Sequence, residues 1–311
     1  MLTKDFLQGR STMNKETNVT VNREYKSTVF AQLFKDKKKL LSLYNALNNS
    51  NYTDDDDLEI VTLENAIYMS MKNDLAFLLD CKLHLYEHQS TPNPNMPLRD
   101  LFYVSKEYEK LINKKSLYSK NIIKIPAPRF IVFYNGMESQ PERMELKLSD
   151  LYHIAEPEPR LELKVIMLNI NDGNNEDLKK SCKVLREYMQ YVNRVRKYVY
   201  EYEMKLEDAV ERAVTECIRE NILKDFLIEN RAEVIAMSIF EFDEEREMKL
   251  IREEEYQSGL EDGIKKGIKK GEYITLYNLY KDNKISLETA LQSISMSKEE
   301  FFEVAKKYQL N

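Results

Sequence analysis

The chain of 311 residues contains no tryptophan, only three cysteines and no long water-excluding run. Cys81, Cys182 and Cys217 lie far apart without Cys-x-x-Cys spacing, so no disulfide framework is expected. They read instead as reduced, small buried hydrophobes, which suits a cytoplasmic protein. Nowhere do about 18 uncharged apolar residues follow one another, so no membrane span is expected. The opening MLTKDFLQGRSTMNKETNV has no apolar centre of the kind a signal peptide needs. An excess of one charge is also missing: 47 basic residues face 53 acidic ones, a net charge of -6. No global field therefore draws the chain to a polyanion, and a nucleic-acid partner must meet a local patch. Phosphate-cradling G-x-x-x-x-G-K-[ST], acyl-serine G-x-S-x-G and zinc-protease H-E-x-x-H are absent as well.

What is present is 42% apolar residues, enough for one sizeable core and a smaller second unit. Residues 1–19 are polar and aperiodic, and are expected to be frayed or disordered. From Val29 to Leu47 apolar side chains recur every three or four residues, the period of an amphipathic helix, and the acidic loop SNYTDDDD ends it. LEIVTL, AIYMSM, NDLAFLL and KLHLYEHQ are then short, β-branched and aromatic segments that predict strands. In STPNPNMPLRDLFYVSKEYEKLINKK prolines break the chain, Pro97 suits a first helical turn, and a helix is predicted to about Ser116. PAPRFIVFYNG predicts a strand buried on both faces, and LELKVIMLNIN another. From about Asn175 onward the pattern is helical. A mixed sheet followed by helices predicts an α/β core at 20–175, a helical extension at 176–255 and a C-terminal tail with a small hairpin at 256–311.

Within that tail, GLEDGIKKGIKKG spaces Gly259, Gly263, Gly267 and Gly271 four apart. Intervening lysines and acids exclude a membrane dimerisation motif; the segment reads as a solvated, weak helix or hinge, with a close helix–helix contact as the alternative. In KISLETALQSISMSKEEFFEVAKKY, Ser286 and Ser297 are the expected helix N-caps, and a DNA-reading helix-turn-helix is the functional alternative to a plain hairpin.

The residues that could carry chemistry lie in NDLAFLLDCKLHLYEHQ. If the hairpin turns at Asp80-Cys81 and Leu79 pairs with Lys82, Asp74 falls directly opposite Glu87, with Cβ atoms about 5 Å apart. Gln89 then shares the face of Glu87, His88 projects from the other, and Lys72 stands opposite Gln89. Two ionised carboxylates so close repel each other unless a cation lies between them, and a hard divalent ion such as Mg²⁺ is the natural one. The bland alternative is that both acids sit at solvated strand ends; a one-residue slip would put them on opposite faces. His84, His88 and Tyr86 share the other face and read as packed groups, as do Tyr103, Tyr108, Tyr188 and Tyr191 at helical spacing.

Asp74 followed by Glu87-His88-Gln89 resembles the D…ExQ form of the PD-(D/E)xK nuclease superfamily. The segments YKSTVFAQLF, LENAIYM, KNDLAFLL, LYEHQSTPNPNMPLR, IPAPRFIVFYNG, LNIN and RAEVIAMSIFEFDEE together resemble the Rpn-type recombination-promoting nucleases, across most of the chain. The resemblance implies a restriction-endonuclease-like αβββαβ core and Mg²⁺-dependent DNA cleavage, with Mn²⁺ as a substitute, used in DNA mobilisation, recombination or defence. It implies Asp74, Glu87 and the His88 backbone carbonyl as metal ligands and Gln89 as the group that positions water or phosphate. The sequence departs from that pattern in two places: Gln89 lacks the charge of the usual lysine, and Asn73 precedes Asp74 where proline is usual. Either the subgroup works with Gln or activity is reduced; Lys72 facing Gln89 would restore the charge. An additional acid on the first helix would be Glu24, since Ser27 has no carboxylate. Arg99, near a helix start, is the expected DNA phosphate contact, or else pairs locally with Asp100 or a loop carbonyl. Lys37 to Lys39, Lys114-Lys115, Arg194 to Lys197 and Lys265 to Lys270 are further candidate backbone contacts, or solvated faces. The rival function is a DNA-binding or assembly protein with a decayed site that oligomerises through its C-terminal helices; a regulator reading DNA with the C-terminal hairpin is a third.

Overall fold

The computed structural model describes residues 28–61, 74–112, 117–308 and 310. The expectations for residues 1–19, Glu24, Ser27, AIYMSM, Lys72, Asn73 and Lys114-Lys115 lie outside them. One compact unit ends at Asp243 and a second begins at Glu244.

The first unit opens with α1 (Val29–Phe34) and α2 (Lys37–Asn48). The sequence period predicts one helix, but the chain breaks at Asp36, whose carboxylate accepts from the amides of Lys38 and Lys39 and so starts a new helix. β1 (Glu59–Ile60), β2 (Leu75–Leu79) and β3 (Lys82–Gln89) follow, then α3 (Met96–Leu111), β4 (Ala127–Tyr134), β5 (Arg143–Lys147) and β6 (Lys164–Asn169). The six strands form one mixed sheet in the order β1-β2-β3-β4-β6-β5. Its centre, β3-β4-β6, is parallel and its edges are antiparallel. The order α-βββ-α-β expected for the core is present. β5 was not expected: RMELK carries only Met144 and Leu146 for the core, and three charges suit a solvated edge strand.

Two apolar layers sandwich the sheet. On one face Phe77, Tyr86, Phe133 and Leu168 pack with α1, α2 and the later helices α5 (Lys183–Arg196), α6 (Leu206–Arg219) and α7 (Lys224–Glu229). Residues 183–229 therefore share the core of the sheet, although the polar stripes of these helices read as an extension. The other face, with Ala76, Leu83, Leu85, Val132, Tyr134 and Met167, is covered by Met96, Tyr103 and Val104 of α3. β4 is accordingly buried on both sides in its second half, as its apolar run predicts.

Phe30 of α1 holds the first layer together. Fully buried, its ring lies 5.2 Å from His88, 5.2 Å from Phe133 and 5.6 Å from Tyr188. Phe30→Ala should destabilise the protein by about 3–5 kcal/mol, measured as a shift of the urea midpoint at unchanged slope.

α4 (Glu176–Ser181) precedes α5, and α8 (Arg231–Lys281) contains the boundary between the units. The second unit includes α9 (Leu287–Ile294) and α10 (Lys298–Lys307). Ser286 and Ser297 cap them as expected, Ser297 through a full capping box with Glu300. Tyr273, Ala290, Phe301 and Ala305 form their small core. The Gly259 to Gly271 segment is helical throughout rather than a hinge.

Candidate active site

The β2-β3 hairpin sets the geometry. Asp80 and Cys81 both take left-handed backbone angles, φ 54° and 55°, which a type I′ turn requires. The register is Leu79↔Lys82 through Leu75↔Tyr86. The next opposed residues are Asp74 and Glu87, just past the end of the ladder. There each carboxylate takes the place of a carbonyl of its own strand and accepts from a backbone amide of the opposite one. Asp74 N–H donates to Glu87 Oε1 at 3.1 Å, and His88 N–H donates to Asp74 Oδ2 at 2.7 Å.

Glu87, 3% exposed, points to the α3 side of the sheet with Leu83 and Leu85. Pro97 lies in the first turn of α3, and Asn93 Oδ1 fixes the entry by accepting from Asn95 N–H at 2.9 Å. This entry delivers Arg99, Asp100 and Tyr103 to the acids. Arg99 Nη2 lies 3.8 Å from Glu87 Oε2 and donates to the Tyr103 hydroxyl at 2.9 Å. Asp100 is 1% exposed, and its Oδ1 has no hydrogen-bond partner. Gln89 is on the same side, its amide nitrogen 2.7 Å from Met96 Sδ. A thioether is a weak acceptor, so this contact satisfies the amide only in part.

Burial dominates the electrostatics. It pushes the Asp74 carboxyl up to about 6 against the opposing pull of the His88 amide and Arg99. Glu87 is driven well above the ordinary range by burial, then by Asp74 and Asp100, with Arg99 offsetting part of it. Asp100 rises to about 7 by burial, again opposed by Arg99. Three acids thus share one guanidinium, a single positive charge against three negative ones, so not all can ionise comfortably.

His88 lies on the opposite face. Its imidazole stacks on Phe30 and meets the Tyr188 hydroxyl at 3.0 Å, and burial lowers it to about 3. The ring is therefore a neutral packing group, and only the backbone of His88 takes part in the acid site. His84 is likewise buried, between Phe77 and Tyr44, and lowered to about 4 by burial.

The loop after β4 closes the edge of the site. Asn135 N–H donates to the Gln89 carbonyl at 3.0 Å. A Cβ on Gly136 would fall 1.8 Å from the Ser90 carbonyl oxygen, so only glycine fits there.

Among the described residues no group of three or more His, Cys, Asp or Glu side chains is arranged to hold a metal. The set that converges is two carboxylates. Hard oxygen donors of this kind suit Mg²⁺, which commonly takes one or two carboxylates and completes its shell with water and phosphate.

Asp74, Glu87, Gln89 and Arg99 are thus brought together. Arg99 is engaged with Glu87 and Tyr103, neither of which was among its expected partners. Met96, Asp100 and Tyr103 were missed as site residues. Their signal was present: Met96, Asp100, Tyr103, Val104 and Glu107 recur at helical spacing, and acids on an otherwise apolar stripe must meet something at the sheet. A separate polar cleft of about 660 Å³, lined by Lys38, Ser42, Asn45, Ser50 and Tyr52 among others, includes none of these residues. No helix among the described residues is long and apolar enough to cross a membrane. No family model, curated protein or solved structure matches the chain.

Proposed function

We propose that the chain is a Mg²⁺-dependent DNA endonuclease of the PD-(D/E)xK type, used in DNA mobilisation, recombination or defence. The observation that carries this reading is the hairpin register, which sets the carboxylates of Asp74 and Glu87 on neighbouring strands beside the amide of Gln89. In the reaction, a water oxygen bonds to phosphorus, the bond to one bridging sugar oxygen breaks, and the departing oxygen takes up a proton. Mg²⁺ held by Asp74, Glu87 and the His88 carbonyl would acidify the water and offset charge on the phosphate. Gln89, whose amide has only the weak acceptor Met96 Sδ as partner among the described residues, aligns the water or a phosphate oxygen by hydrogen bonding. The charge that Gln89 lacks comes from Arg99 of α3, whose guanidinium already faces the acids and is 34% exposed at its side chain, within reach of a phosphate.

A plasmid-nicking assay tests the proposal. Wild type should nick DNA only with Mg²⁺ or Mn²⁺. Asp74→Asn, which keeps an acceptor for the His88 amide and so keeps the hairpin, should lose at least about 10²-fold of that activity. Metal-independent nicking, or equal rates in the variant, would sink the reading. The rival, a decayed DNA-binding protein, is favoured by one observation: the Arg99 guanidinium lies 3.8 Å from Glu87 and offsets part of the charge a metal would have to offset. DNA retention on a filter with no cleavage under any divalent ion would support it.

A further inference from the structure

Between Tyr256 and Gly271, α8 has a face that the described residues of the second unit do not cover. Leu260, Ile264 and Ile268 are 47%, 54% and 57% exposed, and Tyr256 continues their row at four-residue spacing. Beside this ridge run Gly259, Gly263, Gly267 and Gly271. A Cβ built on any of the four meets nothing within 4 Å, so no packing among the described residues accounts for glycine there. Glycine weakens a helix interior, so four at regular spacing call for a compensating contact. An apolar ridge next to a groove of equal pitch is complementary to itself: the ridge of one helix fits the groove of another, and the reverse.

The charges specify the occupant. From Glu253 to Asp262 there are five acids and no base, and from Gly263 to Gly271 four lysines and no acid. Two such helices side by side in the same direction set like charges together. Running in opposite directions and crossing near Gly263, each acidic arm meets the other copy's basic arm.

We propose that this face of α8 is a self-association surface, on which a second copy of the chain docks antiparallel, its Leu260-Ile264-Ile268 ridge seated in the Gly259-Gly263-Gly267 groove. The contact is two-fold symmetric, so the same patch serves both copies. It does not depend on the nuclease reading, because none of its residues belongs to the acid site.

Sedimentation equilibrium of the full chain is the test. Wild type should show twice the 36.9 kDa chain mass, and the association should weaken as salt is raised from about 0.05 to about 0.5 M. Ile264→Asp should weaken association by about 100-fold. Gly263→Leu should do the same while raising helix content by circular dichroism, which separates a filled groove from a damaged fold. Reversing Lys265, Lys266, Lys269 and Lys270 to Glu should dissociate the pair. Reversing Glu253, Glu254, Glu255, Glu261 and Asp262 to Lys in the same chain should restore it, an outcome that only the antiparallel arrangement gives. A wild type that stays at single-chain mass at roughly 100 µM, far above the Kd of a specific interface, would overturn the proposal and leave the face to another partner. So would a pair indifferent to Ile264→Asp and Gly263→Leu.

Discussion

Replacing Glu87 by Gln is expected to lower Mg²⁺-dependent nicking by about 10³-fold or more and, in the metal-free protein at pH 8, to raise the urea midpoint. The two effects have one origin. Glu87 is buried, and burial, Asp74 and Asp100 all disfavour its charge, while Arg99 and the hydrogen bond from the Asp74 backbone amide favour it. A neutral amide of the same shape removes the disfavoured charge but still accepts from the Asp74 amide. It also leaves Arg99 without its carboxylate. That loss is limited, because Arg99 keeps its bond to Tyr103 and about a third of its side chain in solvent. The balance is a gain on the order of 1 kcal/mol. A buried acid whose removal helps the fold is retained for something other than the fold, and holding a cation is the use the proposed function gives it. Equal nicking by the variant would remove Glu87 from the chemistry, and a lowered midpoint would mean that the Arg99 ion pair outweighs the repulsion.

Much of this site was legible because strand pairing is arithmetic. Once Leu79 and Lys82 flank the turn, side-chain alternation puts Asp74 across from Glu87 and sends His88 to the other face. Asp80-Cys81 is a poor turn dipeptide, so the register had to come from the strands: slipping by one would expose Leu83 and Leu85 and bury Lys82. The contribution of α3 was less legible. Its position in the sequence places Arg99 near a helix start, but its partner depends on where the helix docks on the sheet, and docking is not written in local periodicity. The same applies to α5, α6 and α7, whose apolar stripes give their faces but not the strands they cover. β5 was hidden for the opposite reason, because an edge strand needs few apolar residues. The break between α1 and α2 was detectable, since Asp36 ahead of three lysines is a capping residue inside an otherwise continuous period.

The crowded acids should also make the metal-free protein lose stability as pH rises above about 6.5. Asp100 stands at about 7 in the fold against an ordinary 3.8, and Glu87 is raised as well. A carboxyl raised on folding stabilises the fold fully below its unfolded pKa, and that contribution is lost as pH climbs through the folded value. Asp74, at about 6, loses most of its share by pH 7. Two buried histidines act in the other direction: His84 and His88, lowered to about 4 and about 3, add stability as pH rises toward their unfolded value near 6.5. Below about pH 6 the histidines and carboxylates therefore offset one another, and the curve is shallow. Above 6.5 the histidines are neutral in both states and the carboxylates act alone. From pH 6.5 to 8 the loss should be roughly 1–3 kcal/mol, read from urea midpoints. Asp100→Asn, which keeps the volume and cannot ionise, should flatten that limb. About 5 mM Mg²⁺ should reverse it, because a cation binding only the folded, deprotonated pair stabilises more as pH rises. A curve that stays flat from pH 6.5 to 8 in wild type would show that these carboxyls ionise without strain, and the case for a cation between them would go with it.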